Sequence, residues 1–111
     1  MRKFHRIRGR RKSFIQTLAH NLIMREKMQT TEARAKEIRP VVERLVTVAK
    51  KQNLASLRRL LAKLPKKSAT KLYYEIAPRY QTRAGGYLRI LKTVLRRKRD
   101  AAQTAVIEFV Q

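Results

Sequence analysis

The side chains of this chain that could do chemistry are overwhelmingly cationic: 29 Lys or Arg stand against 7 Asp or Glu, with 2 His and no Cys. Catalysis needs acids, bases or nucleophiles brought together, and the spacing offers no such set. His5 lies in a basic run, where phosphate contact is the natural role, and His20 borders the apolar face of an expected helix. Glu26, Glu32, Glu37 and Glu43 fall on or beside a second expected helix amid many cations, as local charge partners rather than a general acid/base pair. The absence of cysteine excludes disulfides, thiolate chemistry and cysteine-held zinc. No phosphate-cradling GxxxxGK[ST] loop exists, and Gly85-Gly86 alone does not make one. An enzyme finds no support here, and neither a cofactor nor a metal is implied.

Binding chemistry is better represented, in three concentrations of cations. The first is an acid-free run over residues 1–12, comprising Arg2, Lys3, Arg6, Arg8, Arg10, Arg11 and Lys12 together with His5. With only Phe4 and Ile7 to anchor it, this run reads as an arm ordered by a partner. The second is Arg83-Ala84-Gly85-Gly86-Tyr87-Leu88-Arg89. Gly85 and Gly86 remove side-chain bulk, so that a sugar-phosphate backbone can approach, and the flanking Arg83 and Arg89 can fork onto phosphate oxygens; the same glycines would equally turn the chain into a strand. The third is the run Arg96, Arg97, Lys98, Arg99, whose like charges repel unless phosphates lie between them. A weaker phosphate seat is the start of the second helix, with the Thr30 and Thr31 hydroxyls, the free N–H groups, and Arg34 and Lys36 on the following turn.

The net charge of +22 over 111 residues attracts polyanions from a distance. At 43% hydrophobic content the chain nevertheless has a core to bury and is no disordered polycation. Only 3 Phe, 4 Tyr and no Trp are present, so base stacking on aromatic rings is not the main mode of contact. Zinc-finger spacing, basic-leucine heptads and the aromatic pattern of single-strand RNA readers are missing. Cations spread over several faces suit folded RNA, whose phosphates converge from several helices, better than a straight duplex; a DNA-binding architectural protein of nucleoid type is the alternative. Membrane binding would require an amphipathic basic helix with exposed aromatics, and no apolar run is long enough to span a bilayer. The first residues resemble a transit peptide in being Arg-rich and acid-free but lack the apolar core of a secretory signal.

The elements that must position these residues follow from periodicity. Phe14, Ile15, Leu18, Ala19, Leu22 and Ile23 mark a first helix over 13–25, with Ser13 as cap. Residues 28–31 suit a short strand, and Thr31 then caps a second helix over 31–51 with Ile38, Val41, Val42, Leu45, Val48 and Ala49 on its buried stripe. Pro40 should kink this helix or divide it, and the unbroken apolar phase favours a kink. Asn53 caps a third helix carrying Leu54, Leu57, Leu60, Leu61 and Leu64, stopped by Pro65; Ser68 caps a fourth with Leu72, Tyr73, Ile76 and Ala77 inward. Alternation over 87–95 and 104–110 then predicts an antiparallel hairpin with the basic run at its tip. The expectation is an α+β chain: about four helices on one side of a small mixed sheet formed by the hairpin and the strand near 28–31. It divides into a basic arm (1–12) and a single globular domain (13–111).

With the elements in order, two blocks become recognisable. Thr30-Thr31-Glu32-Ala33-Arg34-Ala35-Lys36-Glu37-Ile38-Arg39-Pro40, preceded by Leu18-Ala19-His20-Asn21-Leu22-Ile23, resembles the first helices of the bacterial-type large-subunit ribosomal protein seventeen family. Arg83-Ala84-Gly85-Gly86-Tyr87-Leu88-Arg89-Ile90 resembles that family's Arg-x-Gly-Gly-Tyr-x-Arg-Ile block, and residues 100–110 resemble its terminal strand. The resemblance implies a structural constituent of the large ribosomal subunit, without catalysis or cofactor, that binds large-subunit ribosomal RNA. It further implies neighbouring ribosomal proteins near the nascent-chain exit, in a cytoplasmic ribosome, with an organellar one left open. RNA contact at Thr30, Thr31, Gly85, Gly86 and Tyr87 follows from the matched blocks. Two regions depart: the arm lacks the family's Ser-Ser-His run, Arg10 standing where that His would fall, and Arg99 replaces the usual Gly before Asp100.

Overall fold

The computed structural model describes residues 8–96, 98 and 100–110, with the backbone alone for residues 94–96. Helix α1 (Arg8–Arg25) leads through Glu26 into strand β1 (Lys27–Thr31), which runs directly into α2 (Glu32–Ala49). Two shorter helices follow, α3 (Leu54–Lys63) and α4 (Lys66–Lys71), and the hairpin of β2 (Leu88–Arg96) and β3 (Gln103–Phe109) closes the fold.

The caps show why the helices start where they do. Thr31 Oγ1 accepts from the Arg34 N–H at 3.3 Å, satisfying one donor orphaned at the start of α2. Asn53 and Ser56 form a reciprocal capping box on α3, the Ser56 N–H reaching Asn53 Oδ1 at 2.8 Å. α2 continues through Pro40 as one helix. Two expected starts are corrected. α1 is helical from Arg8, so Ser13 lies inside it and its carbonyl accepts from Thr17 Oγ1 at 3.0 Å. Arg and Lys are good helix formers, and a single glycine such as Gly9 costs only about 1 kcal/mol, too little to stop the helix. The fourth helix starts at Lys66, one residue past Pro65, and Ser68 is buried within it, donating to the Pro65 carbonyl at 3.1 Å. Beyond α4 the chain widens into a π turn at Leu72–Ile76 and tightens into a 3₁₀ turn at Ala77–Tyr80. Pro78 has no N–H to give the preceding turn, so the regular helix cannot continue there.

The sheet has the order β1-β3-β2 and is antiparallel throughout rather than mixed. The last strand inserts between the first and second, so each flanking strand opposes it. Along β3, Ala105, Ile107 and Phe109 are buried while Thr104, Val106 and Glu108 alternate outward, the period-two pattern of a sheet covered on one face. Helices α1 and α2 supply most of the opposing core through Ile15, Leu18, Leu22, Ile23, Ile38, Val42 and Val46. Two apolar expectations fail in an informative way. Val41 and Val48 are only half-buried, and on α3 Leu54 and Leu61 are exposed while Leu60 and Leu64 are buried. The helices carry more apolar surface than the core uses.

Candidate nucleic-acid interface

The glycine block lies at the entry to β2 and is tied to the end of α2. Lys50 Nζ donates to the Arg83 carbonyl and, at 2.9 Å, to the Tyr87 hydroxyl. The Tyr87 backbone N–H donates to Glu43 Oε2 at 3.3 Å, and the other oxygen of that carboxylate accepts from Arg39 Nε at 2.9 Å. Tyr87 is 2% exposed, its ring 5.3 Å from that of Tyr80. Its side chain therefore holds the block in place and offers no free face to a ligand. Burial pushes the Tyr80 phenol up, and its hydroxyl donates to the Val110 carbonyl. Gly86 adopts φ +63°, the left-handed conformation that favours glycine. Gly85 has nothing within 4 Å of where a Cβ would stand, so the main chain there is open to close approach from outside. Arg83 curls back, its Nε donating to the Gly85 carbonyl at 3.1 Å, and Arg89 pairs with Glu108 at 2.6 Å.

The second set of expected contacts falls at the opposite end of the sheet. Thr30 and Thr31 of β1 pair with Ala105 and Thr104 of β3, next to the turn that follows β2. The nine residues of β2 separate this end from the glycine block by roughly 25 Å at the rise of an extended strand. Here Lys36 and Lys92 converge on Glu32 at 2.9 and 3.4 Å. The hydrogen bond from Lys36 and then the nearby charges hold that carboxyl below its ordinary range. Arg34 lies over the Phe14 ring, 5.0 Å from its centre. At the hairpin tip Lys98 is exposed, and the Ala102 N–H donates to Asp100 Oδ1 at 3.1 Å. Ala101 takes φ +55° in this turn, a conformation better suited to glycine. Arg97 and Arg99, the side chain of Arg96, and Arg2, Lys3, His5 and Arg6 of the arm lie outside the described residues.

A third region was not anticipated as a unit. Because α1 begins at Arg8, the cations Arg8, Arg11 and Lys12 share one face of that helix, while Arg10 is exposed on another. They border a cleft of about 740 Å³ between α1, α2 and α3, whose other charged residues are Arg44 and Lys51 of α2 and its end, and Arg59 and Lys63 of α3. Among the described residues the lining holds these seven cations and no carboxylate. A signal for it exists in the sequence: 8, 11, 12, 15 and 19, and likewise 41, 44, 45, 48 and 51, are helical repeats in which cations and aliphatic residues share one face. Carboxylates gather elsewhere. Glu26 meets Arg79 and Lys71, Glu43 meets Arg39, and Glu108 in the central strand meets Lys27 and Arg89 on either side.

The profile of the family described as Ribosomal protein L17 matches residues 14–110. The chain is 48% identical to the large ribosomal subunit protein bL17 of Hydrogenobaculum sp. over 109 residues, covering 97% of this chain and 92% of that one. It is 48% identical to the bL17 of Persephonella marina over 112 residues, covering 99% and 90%, and 46% identical to that of Staphylococcus carnosus, covering 98% of each. Similar from its first helix to its last strand to proteins of this one kind, the chain belongs to the ribosomal protein L17 family.

Proposed function

We propose that the chain is a structural constituent of the large ribosomal subunit. In this reading it binds large-subunit ribosomal RNA through the basic arm, the Arg83–Arg89 glycine block, the start of α2 and the basic hairpin tip. Membership of the L17 family carries the ribosomal assignment, and the surplus of 29 cations over 7 carboxylates supports RNA as the direct partner. The open main chain at Gly85 suits contact with a phosphate backbone, and arginine side chains fork onto phosphate oxygens. Other large-subunit proteins, placed near the nascent-chain exit, would cover part of the remaining surface. No step of chemistry is required: the work is electrostatic neutralisation and shape, holding RNA segments together that would otherwise repel.

The direct experiment is sedimentation of tagged protein from growing cells in moderate salt, followed by RNA crosslinking. The protein should travel with the large subunit and crosslink to its RNA. Recovery only in the free fractions, or equal affinity for random duplex DNA with persistence on the nucleoid, would overturn the assignment in favour of an architectural DNA-binding protein.

A further inference from the structure

The three-helix cleft has a floor as well as a rim. Ile15 and Ala19 of α1, Leu45 of α2 and Leu64 are buried at its base, while Val41 and Val48 remain half-buried and face the opening. Cations above and aliphatic carbon below describe a ligand that is anionic at its edge and apolar in its body. A regular RNA helix meets proteins mainly through phosphates and 2′-hydroxyls; laid across this rim, it would satisfy the cations and leave the valines uncovered. An unstacked nucleotide matches both parts. Its base is a flat, largely apolar plate, and the phosphates on either side of it are charged. The volume of about 740 Å³ lies within the roughly 300–1,000 Å³ of sites that enclose small ligands. Among the described residues no Phe, Tyr or Trp lines the cleft, so a base there would be held by aliphatic contact and by the planes of Arg44 and Arg59 rather than between rings.

The cations are also available. Among the described residues none of the seven forms an ion pair with a carboxylate, in contrast to Arg39, Lys36, Arg79 and Arg89. Arg44, Lys51, Arg59 and Lys63 all stand exposed at the rim.

We propose that the cleft between α1, α2 and α3 receives one unstacked nucleotide of the bound RNA, at a bulge or loop. Its base lies against Val41 and Val48, and its flanking phosphates lie on Arg44, Lys51, Arg59 and Lys63. This inference rests on the reading of the chain as an RNA-binding protein, but it uses a face outside the glycine block, the start of α2 and the hairpin tip.

The test compares two RNA hairpins of identical sequence, one fully paired and one carrying a single bulged 2-aminopurine, titrated with the full chain. The bulged hairpin should bind about tenfold more tightly, the scale of one well-held base, and its 2-aminopurine emission should change on binding. The triple variant R44Q/R59Q/K63Q, made at exposed positions, should erase the preference. It should also flatten the log–log salt dependence by about 2–3, at about 0.7–0.9 for each phosphate left without its cation. Val48→Thr, which keeps shape but makes the floor polar, should reduce the preference and leave the salt slope unchanged. Circular dichroism confirms folding of both variants. Equal binding of the two hairpins, or a triple variant that behaves as the parent, overturns the inference while leaving RNA binding intact. Failure of the parent to bind either hairpin or large-subunit RNA overturns the RNA-binding reading itself. Displacement of the bulged hairpin by polyglutamate, with 2-aminopurine emission unchanged throughout, assigns the cleft to an acidic protein segment instead.

Discussion

The glycine block and the three-helix cleft are both basic, and they use their charges in opposite ways. Around the block the ionic groups are spent inward: Lys50 on Arg83 and Tyr87, Glu43 on Tyr87 and Arg39, Arg89 on Glu108. In the cleft no carboxylate among the described residues is present to accept a bond. A cation already paired on the surface gains little from a phosphate beyond what it gives up, whereas an unpaired one offers its whole charge. The block is thus a shaped surface held by internal bonds, and the cleft is a field. Substitutions in the first should be felt mainly as stability, and in the second mainly as affinity and salt dependence.

The sharpest separation comes from Tyr87. Tyr87→Ala empties a site whose ring is packed on Tyr80 and whose hydroxyl holds Lys50. It should cost about 3–5 kcal/mol, the range for deleting a buried aromatic ring, read as a fall in the urea midpoint. Tyr87→Phe keeps the ring and removes only the hydroxyl, with an expected loss of about 1 kcal/mol. If Tyr87→Ala left stability intact and abolished RNA binding, the ring would be a contact residue and the contrast between the two regions would collapse.

The two glycines divide the block more finely. Gly86→Ala forces a Cβ onto a left-handed residue and should cost about 1–2 kcal/mol, even though the space beside it is open save for the Arg83 guanidinium at 4.0 Å. Gly85→Ala has neither strain nor a clash to meet and should leave the urea midpoint unchanged. Weakened RNA binding by Gly85→Ala at unchanged stability would show that a backbone approaches there; full binding would confine the function of the pair to the turn at Gly86.

In the cleft the expected change in stability is small and of opposite sign. Like charges destabilise the compact state, so R44Q/R59Q should raise stability by a few tenths of a kcal/mol, within the roughly ±0.5 kcal/mol usual for surface substitutions. The gain should shrink as added salt screens the repulsion. A loss in excess of that range would mean that these arginines hold the helices together and are not free for RNA.

What could be read in the sequence divides along the same line. Caps and strands depend on neighbours in the chain, and Thr31, Asn53, the short first strand and the C-terminal hairpin were all legible from local patterns. The glycine block was legible because its residues are consecutive. The cleft was not, since residues near 11, 44, 51 and 59 meet only after three helices pack. Val41 and Val48 have the spacing of core residues and differ from Val42 only in which way the helix happens to face. The start of α1 was missed for a physical reason too: an acid-free basic run looks unfavourable for folding by its charge, yet its arginines and lysines are individually good helix formers. The sheet was expected to be mixed and is antiparallel, because alternation predicts a strand and its covered face but says nothing about the direction in which a neighbour runs beside it.

The weakest contrast is one of pH, and it belongs to the sheet side alone. Glu26 joins α1 to β1 with φ +63° and faces Arg79 and Lys71. The hydrogen bond from Arg79 holds its carboxyl below the ordinary range, with Lys71 adding to the effect against partial desolvation. A carboxyl lowered in the folded state is protonated more readily in the unfolded chain. Its contribution is therefore complete above the unfolded value and is lost as pH falls through the folded one. Stability should be flat from pH 7 to about 5 on this account and decline as pH falls further, through the lowered folded value. Glu26→Gln should lower stability at pH 7 by no more than about 1 kcal/mol and flatten part of the acid decline, Glu32 accounting for a further part in the same window through Lys36 and Lys92. Glu26→Gly removes the same ion pairs and also relieves the left-handed backbone, so at a pH below the folded value of Glu26, where the pairs are gone, it should be more stable than the parent. If it were instead less stable at both pH values, the side chain would hold this junction by packing, and the ionic account of the sheet side would fail at Glu26.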